Sequence, residues 1–399
     1  MLPGDLVDQF MLYTEGMRSS KLYREWCAIT MIGGAMERRI KTVIGPYTNY
    51  ANLYVMLVGQ PGSGKGLIDL VGNIWAATKG EFGVEPAFHC GANDYTKAAL
   101  IDDLRNASRT TSAANFTYHN LLLAIEEFSN TFPVYDPAIL SFLTTIWNGP
   151  REYRESRRKY KDGKPLVIEA PLITALIGYQ PDTMHKNLMR DANEQGLLRR
   201  TVLVWNEFPN MTDLLEAAPL DSALEMEMCS RLRDISLIYD TMQMDRDAIE
   251  FIRDWEQNGG QPRPLHEDLR NYLNSRTQLV IKLSMIASMS EDTSLQVHLH
   301  HVRRAMSWLL KAEEVMPKVF DSMKGESEGR LIRKYHHALL IQMSTGRPIT
   351  NAFIYGWFDD KTKPQNAQYV INNLVARGIL IQNPDRTWRV TGKTLTDYD

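Results

Sequence analysis

The chain has 399 residues, of which 44% are hydrophobic and 23% charged, and its formal net charge is -3, a composition typical of a globular protein with two or three domains. No apolar run reaches the ~18 residues that a membrane-spanning helix needs, and the acidic N-terminus does not resemble a signal peptide. Cys27, Cys90 and Cys229 lie too far apart for a disulfide framework or a zinc site, so we expect a cytoplasmic protein with no membrane contact.

The predicted elements begin with a helical segment over residues 1–50, where apolar residues recur at helical spacing. A buried strand, LYVMLV, follows at 53–58, then a glycine-rich loop, GQPGSGKG, at 59–66, and then a helix that begins at 67. A strand, a glycine loop and a helix in this order form the setting in which a phosphate-binding loop works.

The glycine-rich loop (residues 59–66) predicts a nucleotide site. Its glycines let backbone N–H groups turn toward phosphate oxygens, Lys65 brings a positive charge, and the next helix points its positive end at the phosphates. We assign ATP binding to Gly59, Gln60, Pro61, Gly62, Ser63, Gly64, Lys65 and Gly66. Gly66 stands where a Ser or Thr would hold Mg²⁺, and a plain glycine turn is the alternative interpretation.

Further along, strands alternate with helices, which indicates an α/β core with a mainly parallel sheet. We predict strands at PAFHC, LLLAIEEF, ITALIGYQP and TVLVW, helices at 96–104 and 138–147, and a loop at RNASRTTSAAN. LLLAIEEF ends in Glu126, expected to hold Mg²⁺ through water, and Glu127, expected to orient the attacking water. Gln180 would reach the γ-phosphate. Solvated turn residues are the alternative for the acidic pair.

Two arginines come directly before the strand TVLVW. We predict that Arg199 and Arg200 form an arginine finger, supplied to the ATP of a neighbouring subunit. The alternative is a solvated pair at the edge of a strand.

A basic segment, residues 151–164, lies between the acidic pair and the strand ITALIGYQP and holds seven basic and three acidic residues. The dipeptide Asp162–Gly163 between its two arms predicts a β-hairpin. Tyr153 or Tyr160 would stack on bases, while five cations would follow the phosphates of DNA: Arg157, Arg158, Lys159, Lys161 and Lys164. A solvated charged loop is the alternative.

The remaining chain is predicted to form a helical lid over 211–325 and a C-terminal domain over 330–399, in which ILIQNPDRTWRV forms a small hairpin around Asn383–Arg386. From Arg330 onward there are ten basic and five acidic residues, so this part carries +5 and the rest -8. Five polar or basic residues lie at the front of its helix KPQNAQYVINNLVARG, where a groove could be read: Lys361, Lys363, Gln365, Asn366 and Gln368. Asp359 and Asp360 would repel phosphate, and such domains also bind proteins.

The sequence HLHH, at 298–301, suggests a metal cluster. No carboxylate or cysteine lies at ligand spacing, so we expect an ordinary surface between a strand and a helix.

Taken in order, LYVMLVGQPGSGKG, LLLAIEEF, LITALIGYQP and QGLLRRTVLV resemble a family of phage and prophage P-loop replication ATPases of the primase-helicase kind. The layout is also similar to AAA+ helicases of superfamily 3 and the minichromosome-maintenance group. The resemblance covers residues 20–320 and, more loosely, the tail. It implies an AAA+-like P-loop NTPase core at 51–210 behind the N-terminal segment, with a helical lid and a C-terminal winged-helix domain.

The same resemblance implies roles for single residues: Lys65 as the phosphate lysine, Glu126 and Glu127 as the acidic pair, Gln180 as the sensor, and Arg200 as the finger. SRTQLVIKL resembles the segment that carries a second sensor, which makes Arg276 a nucleotide contact. The sequence departs from the family pattern at Gly66 and at Glu126, which replaces an Asp.

These patterns predict an ATP-dependent DNA motor, a ring-forming replicative helicase of a phage or mobile element, hexameric or heptameric, that uses ATP and Mg²⁺. Its expected partners are single-stranded or forked DNA and a primase or other replisome protein. Three alternatives stay open: a DNA-binding helicase loader or initiator, a binding-only module with a degenerate nucleotide site, and a P-loop nucleotide kinase. The sequence PGSGKG resembles the phosphate-binding loop of such kinases.

Overall fold

The computed structural model describes residues 4–92, 94–111, 116–128, 137–156, 165–181, 184, 196–206, 219–358 and 364–391, with the backbone alone at 323–331, 333–334 and 364–366. The chain forms two compact units, Met1–Val319 and Phe320–Asp399. In the part of the chain that is described, no helix combines the length and the apolar character that crossing a bilayer requires.

The first unit contains both helices and strands. Its helices are α1 (Leu6–Tyr13), α2 (Lys21–Met36), α3 (Leu67–Ala77), α4 (Lys97–Asn106), α5 (Pro137–Trp147), α6 (Ser222–Leu237), α7 (Arg246–Gln257), α8 (Arg276–Glu291) and α9 (Leu299–Ser344), the last of which continues into the second unit. Its strands are β1 (Ile40–Ile44), β2 (Tyr47–Tyr50), β3 (Tyr54–Val58), β4 (Ser108–Thr111), β5 (Phe116–Ile125), β6 (Glu152–Glu155), β7 (Leu166–Glu169), β8 (Pro171–Tyr179), β9 (Thr201–Trp205), β10 (Asp240–Met244) and β11 (Gln296–Val297).

A five-stranded sheet in the order β4-β5-β8-β3-β9 forms the centre of this unit. The strands β5, β8, β3 and β9 are parallel, and β4 runs antiparallel to β5. Every residue of β3, β8 and β9 is buried, as expected for apolar runs covered on both faces. The predicted α/β fold with a mainly parallel sheet is therefore confirmed.

The strand β3 pairs on one side with β8 and on the other with β9. The chain order reverses at this point of the sheet, and ligands of open parallel sheets bind beyond the carboxyl ends of strands at such a point. The glycine-rich loop follows β3, Gln180 follows β8, and the acidic pair follows β5. All three therefore leave the sheet at the same edge.

A second sheet, in the order β11-β10-β1-β2, differs from the sequence prediction. The sequence predicts a helical segment over residues 1–50 and a helical lid over 211–325, but β1 pairs in parallel with β10. The run IKTVI is rich in β-branched residues, which favour strands. Its partner lies about 200 residues further along the chain, beyond the reach of local pattern.

Two smaller predictions also differ from the structure. Residues 108–111, expected to lie in a loop, form β4 and pair with the start of β5. The segment PAFHC forms two isolated bridges, Pro86 to Lys79 and Cys90 to Leu122, rather than a strand. The predicted helices at 96–104 and 138–147 are confirmed as α4 and α5, and Thr96 caps α4 by accepting a hydrogen bond from the Ala99 amide.

The second unit consists of the end of α9, then α10 (Asn351–Gly356), α11 (Pro364–Ala376) and an antiparallel hairpin of β12 (Leu380–Gln382) and β13 (Trp388–Val390). Apolar side chains from each of these elements form one core: Tyr335, Leu339, Ile354, Val370, Leu374, Leu380 and Val390. The hairpin predicted around Asn383–Arg386 is confirmed. Lys361, Lys363 and the Asp359–Asp360 pair lie outside the described residues, as do the side chains of Gln365 and Asn366, whereas Gln368 is exposed.

Candidate functional site

The glycine-rich loop turns tightly between β3 and α3. Gly62 and Gly64 have φ of 80° and 89°, which only glycine adopts without strain. At Gly59 a Cβ would lie 2.6 Å from the Asn206 carbonyl oxygen and 2.7 Å from the Tyr23 hydroxyl, so no larger residue fits. The glycines are therefore required by the backbone conformation and by the close packing under the loop.

Lys65 is folded back over the loop and is only 8% exposed. Its Nζ donates hydrogen bonds to the carbonyl oxygens of Gly59 at 2.5 Å and Gln60 at 3.2 Å. Burial lowers the pKa of Lys65, while Glu127 and Glu126 act to raise it. The ammonium group thus lies among acceptors that a phosphate oxygen can replace, with both acids close enough to affect its charge.

The acidic pair lies beside the predicted sensor. Gln180 Nε2, just after β8, donates a hydrogen bond to Glu127 Oε2 at 2.7 Å. The close approach of the two strands depends on Gly178, where a Cβ would lie 1.9 Å from the Glu126 carbonyl oxygen. The structure therefore brings together Glu127 and Gln180, which lie 53 residues apart in the chain.

Asp69 belongs to the same cluster, although the sequence analysis did not single it out. It lies in the first turn of α3, four residues after Lys65, and its carboxyl group is close enough to that of Glu126 to raise the pKa of Glu126. Burial raises the pKa of Glu126, Asp69 raises it further, and Lys65 lowers it. The helical spacing, which puts residues four apart on one face, was the signal that would have found Asp69.

A pocket of about 860 Å³ lies next to the loop. Leu12, Tyr13, Met17 and Leu224 supply apolar walls, and Gly64 and Leu67 form its floor. The Ser19 hydroxyl donates a hydrogen bond to the Gly64 carbonyl, which joins the segment before α2 to the loop. A mostly apolar pocket adjoining a glycine loop has the size and lining that suit the base and sugar of a nucleotide.

The predicted arginine finger is divided between two environments. Arg200 is 8% exposed, donates a hydrogen bond to the Gly196 carbonyl at 2.9 Å, and has its guanidinium over the Trp147 ring. Burial and the charge of Arg199 lower the pKa of Arg200. Arg199 is half-buried and is thus the more accessible of the two for a neighbouring subunit. The finger itself stays a prediction.

No protein-family model matches this sequence, and no curated protein matches it either. The likeness to replication ATPases therefore remains a resemblance of short motifs. Three of them end at one edge of the parallel sheet, whereas the arginine pair precedes β9 at the opposite edge.

Arg276, predicted to contact the nucleotide, lies in a buried ion pair. Its Nε and Nη2 each donate to the Glu313 carboxylate at 2.7 Å, and both side chains are 3% exposed. The same guanidinium also donates to the carbonyl oxygens of Gly260 and Pro262. Contact with a nucleotide would require this cluster to open.

The five cations predicted to bind DNA, Arg157, Arg158, Lys159, Lys161 and Lys164, lie outside the described residues. The arms of the predicted hairpin are described: β6 and β7 pair antiparallel, with Glu155 opposite Leu166. Tyr153 packs edge-on against the Phe142 ring at 5.0 Å, so this ring supports the hairpin's base. Tyr160 lies outside the described residues.

The histidine cluster differs from the prediction, because a carboxylate does reach it. Glu291, at the end of α8, lies 3.1 Å from Nε2 of both His300 and His301. His301 Nδ1 accepts a hydrogen bond from the His298 amide at 2.9 Å, so its Nε2 carries the proton and donates to Glu291. A metal-bound histidine instead donates from its second nitrogen. This arrangement fits a hydrogen-bonded helix start better than a metal centre.

Proposed function

We propose that the protein is an ATP-dependent DNA motor, a ring-forming replicative helicase with an AAA+-like P-loop core and a winged-helix tail. One observation carries the proposal: Lys65, Glu127 and Gln180, from three separate motifs, meet at one edge of a parallel sheet. The hydrogen bond from Gln180 to Glu127 and the effect of Glu127 on Lys65 tie these motifs together. If the glycine-rich loop were only a turn, nothing would require residues from three motifs to meet beside it.

ATP would bind as substrate with its phosphates in the glycine-rich loop. Lys65 would exchange its hydrogen bonds to Gly59 and Gln60 for the β and γ phosphates, which carry full negative charge. Because the ammonium is already buried, little further desolvation is required when the phosphates arrive. The base would occupy the apolar pocket beside Gly64 and Leu67.

The residues present fit a divalent cation, even though Gly66 offers no hydroxyl. Asp69 and Glu126 are two neighbouring carboxyl groups, and burial and the proximity of Asp69 raise the pKa of Glu126. Two acids so close together favour either a shared proton or a cation between them. Mg²⁺, when bound, would offset the charge on the phosphates. Asp69 and Glu126 would hold it, directly or through water, which is the ligand chemistry this ion prefers.

Glu127 would orient the water that attacks the γ-phosphorus and take up its proton. Gln180 donates its amide N–H to the Glu127 carboxylate at 2.7 Å and would thereby fix the orientation of this base. Arg199 or Arg200 of a neighbouring subunit would stabilise the charge that develops on the leaving phosphate.

The test is ATP turnover with Mg²⁺, measured with and without single-stranded DNA. We expect the wild-type protein to hydrolyse ATP faster with DNA, and Lys65→Ala and Glu127→Gln to lower turnover by roughly 100-fold or more, since each removes a group that acts in the transition state. Lys311→Ala and Glu250→Gln are matched controls at exposed ion pairs and should keep wild-type turnover.

A Glu127→Gln variant as active as the wild type would contradict the proposed chemistry. Turnover that DNA leaves unchanged would contradict the motor. ATP binding without turnover would support the binding-only alternative.

A further inference from the structure

A second large cavity, of about 940 Å³, opens between the β1–β2 hairpin, the start of β5 and the arms β6 and β7. We name it the basic cleft and define it by Arg38, Lys41, Tyr50, Phe116, Arg151 and Tyr239. We propose that the basic cleft binds a segment of single-stranded nucleic acid. This proposal rests on the proposed function and extends it, because it assigns DNA binding to residues outside the nucleotide site.

The charge of the cleft favours a polyanion. Four basic side chains line it against two acidic ones: Arg38, Lys41, Arg151 and Arg154 against Glu152 and Glu169. Glu152 is already engaged in a two-bond pair with Arg154, at 2.8 and 3.0 Å. Within the described parts of the chain, no carboxylate pairs with Lys41 or Arg151. Their charges are thus available to phosphate groups.

The environment of Arg38 gives the strongest evidence that the basic cleft is a binding site. It is 6% exposed, lies over the Tyr50 ring at 4.6 Å, and donates one hydrogen bond to the Pro171 carbonyl at 3.0 Å. Its Nε has no hydrogen-bond partner among the residues that the structure describes. Burial lowers the pKa of Arg38. A buried guanidinium without a carboxylate is costly, and an anion in the cleft would offset that cost.

The aromatic rings of the cleft favour a single strand over a duplex or a bare phosphate. Tyr50, Phe116 and Tyr239 are half-buried, and the rings of Phe116 and Tyr239 lie 5.8 Å apart at a tilt of 44°. Bases of a single strand can stack on such rings, whereas the bases of a duplex are already stacked on each other. Cations beside aromatic rings are the combination that proteins use to bind single strands.

The location also fits a strand path. Arg151, directly before β6, and Arg154, within β6, line the cleft, and the chain continues from β6 to the segment 157–164, whose basic residues the sequence predicts to contact DNA. The cleft lies at the amino end of β5, where Phe116 begins the strand, and the acidic pair lies at its carboxyl end. A ten-residue strand separates the two sites by about 30 Å. They can therefore be tested independently.

The experiment measures binding of the full chain to a fluorescent single-stranded DNA of about 12 nucleotides, without ATP, over a range of salt concentrations. The test variant is Lys41→Gln/Arg151→Gln, which changes two partly or fully exposed side chains. We expect it to bind at least tenfold more weakly. The magnitude of its log–log salt slope should decrease by about 1.4, because each substitution removes one cation and each neutralised phosphate of a single strand contributes about 0.7. Arg246→Gln, 91% exposed on α7, is the control and should bind like the wild type.

Two further ligands separate a strand from a simple anion. An abasic oligonucleotide of the same length should bind roughly tenfold or more weakly, because it has no bases to stack. Inorganic pyrophosphate should compete poorly. The proposal is overturned if Lys41→Gln/Arg151→Gln binds DNA with wild-type affinity and salt slope. Equal affinity for the abasic strand, or strong competition by pyrophosphate, would overturn it too, in favour of a small-anion site.

The outcome is distinct from that of the proposed function. Oligonucleotide binding that depends on Lys41 and Arg151, in a protein that hydrolyses no ATP, would leave the cleft in place and remove the motor. DNA-stimulated ATP turnover with no dependence on these two residues would keep the motor and remove the cleft.

Discussion

At the scale of single residues, the candidate site depends on glycines as much as on charged groups. Gly178 lies where β8 passes close to the end of β5. A Cβ atom at this position would lie 1.9 Å from the Glu126 carbonyl oxygen. Gly66, by contrast, has open space around its Cβ position and an ordinary helical conformation. These two glycines therefore predict opposite responses to the same substitution.

We expect Gly178→Ala to displace the acidic pair and to lower the free energy of unfolding by about 1–3 kcal/mol, because the strand core is overpacked. Turnover of ATP should fall at least tenfold, since Glu127 loses its position beside Gln180. Gly66→Ala should change neither quantity appreciably. Chemical denaturation and turnover assays on both variants check this, and a Gly178→Ala variant with normal stability and turnover would contradict the close packing.

Asp69 leads to a prediction about pH. The pKa of Glu126 is raised above 4.5 by burial and then by Asp69. A carboxyl group with a raised folded pKa stabilises the fold below its unfolded pKa, and this contribution is lost as the pH rises through the folded pKa. Without Mg²⁺, the unfolding temperature of Asp69→Asn relative to wild type should therefore increase as the pH rises above about 4.5.

Mg²⁺ should remove this pH-dependent difference by stabilising the wild type alone. The exposed Asp254→Asn variant on α7 makes the same charge change elsewhere and should behave like the wild type. A difference between Asp69→Asn and wild type that stays constant with pH would contradict contact between Asp69 and Glu126.

At the scale of elements, the strands of the central sheet could be predicted from the sequence. The pairing of strands with one another could be predicted only in part. The strands β3, β8 and β9 are continuous apolar runs, and such a run carries its own signal of burial on both faces. The sheet of β1, β2, β10 and β11 was missed, because its pairing joins segments about 200 residues apart. Local periodicity contains no information about a partner at that distance.

The residues of the candidate site could likewise be predicted only in part. Lys65, Glu127 and Gln180 were found because each follows an apolar strand, and parallel strands end at one edge. Asp69 was missed since the loop pattern directs attention to position 66, and Glu291 because it reaches the histidines from another helix. The tail hairpin was predicted from its turn residues, Asn383 to Arg386, which act locally.

The pairing of α8 with α9 gives a prediction at this scale. Arg276 and Glu313 are each 3% exposed and bind each other at 2.7 Å. Glu313→Gln leaves the arginine charge buried without its partner, and we expect the free energy of unfolding to fall by about 3–5 kcal/mol. Glu250→Gln breaks the exposed pair with Arg246 on α7 and should cost no more than about 0.5 kcal/mol.

Denaturant titration of both variants gives the comparison. Equal stability of Glu313→Gln and wild type would contradict a structural role for this pair. It would then favour the alternative in which Arg276 is free to reach a nucleotide.

At the scale of the whole molecule, the proposals assign different tasks to the two ends of one strand. The carboxyl end of β5 carries the acidic pair of the nucleotide site, and its amino end borders the basic cleft. A rigid sheet between them is a physical route by which ATP turnover would act on a bound strand. Under the same proposal, the basic charge balance of the chain from Arg330 onward would offer a further surface for nucleic acid.

The central claim is that ATP hydrolysis by this chain moves DNA, and unwinding of a forked DNA duplex measures it most directly. We predict that the wild-type protein separates the strands only with both ATP and Mg²⁺, and that Lys65→Ala and Glu127→Gln separate none. DNA-stimulated ATP turnover in the wild type without any strand separation, on forks of either polarity, would contradict the helicase and leave a loader or initiator in its place.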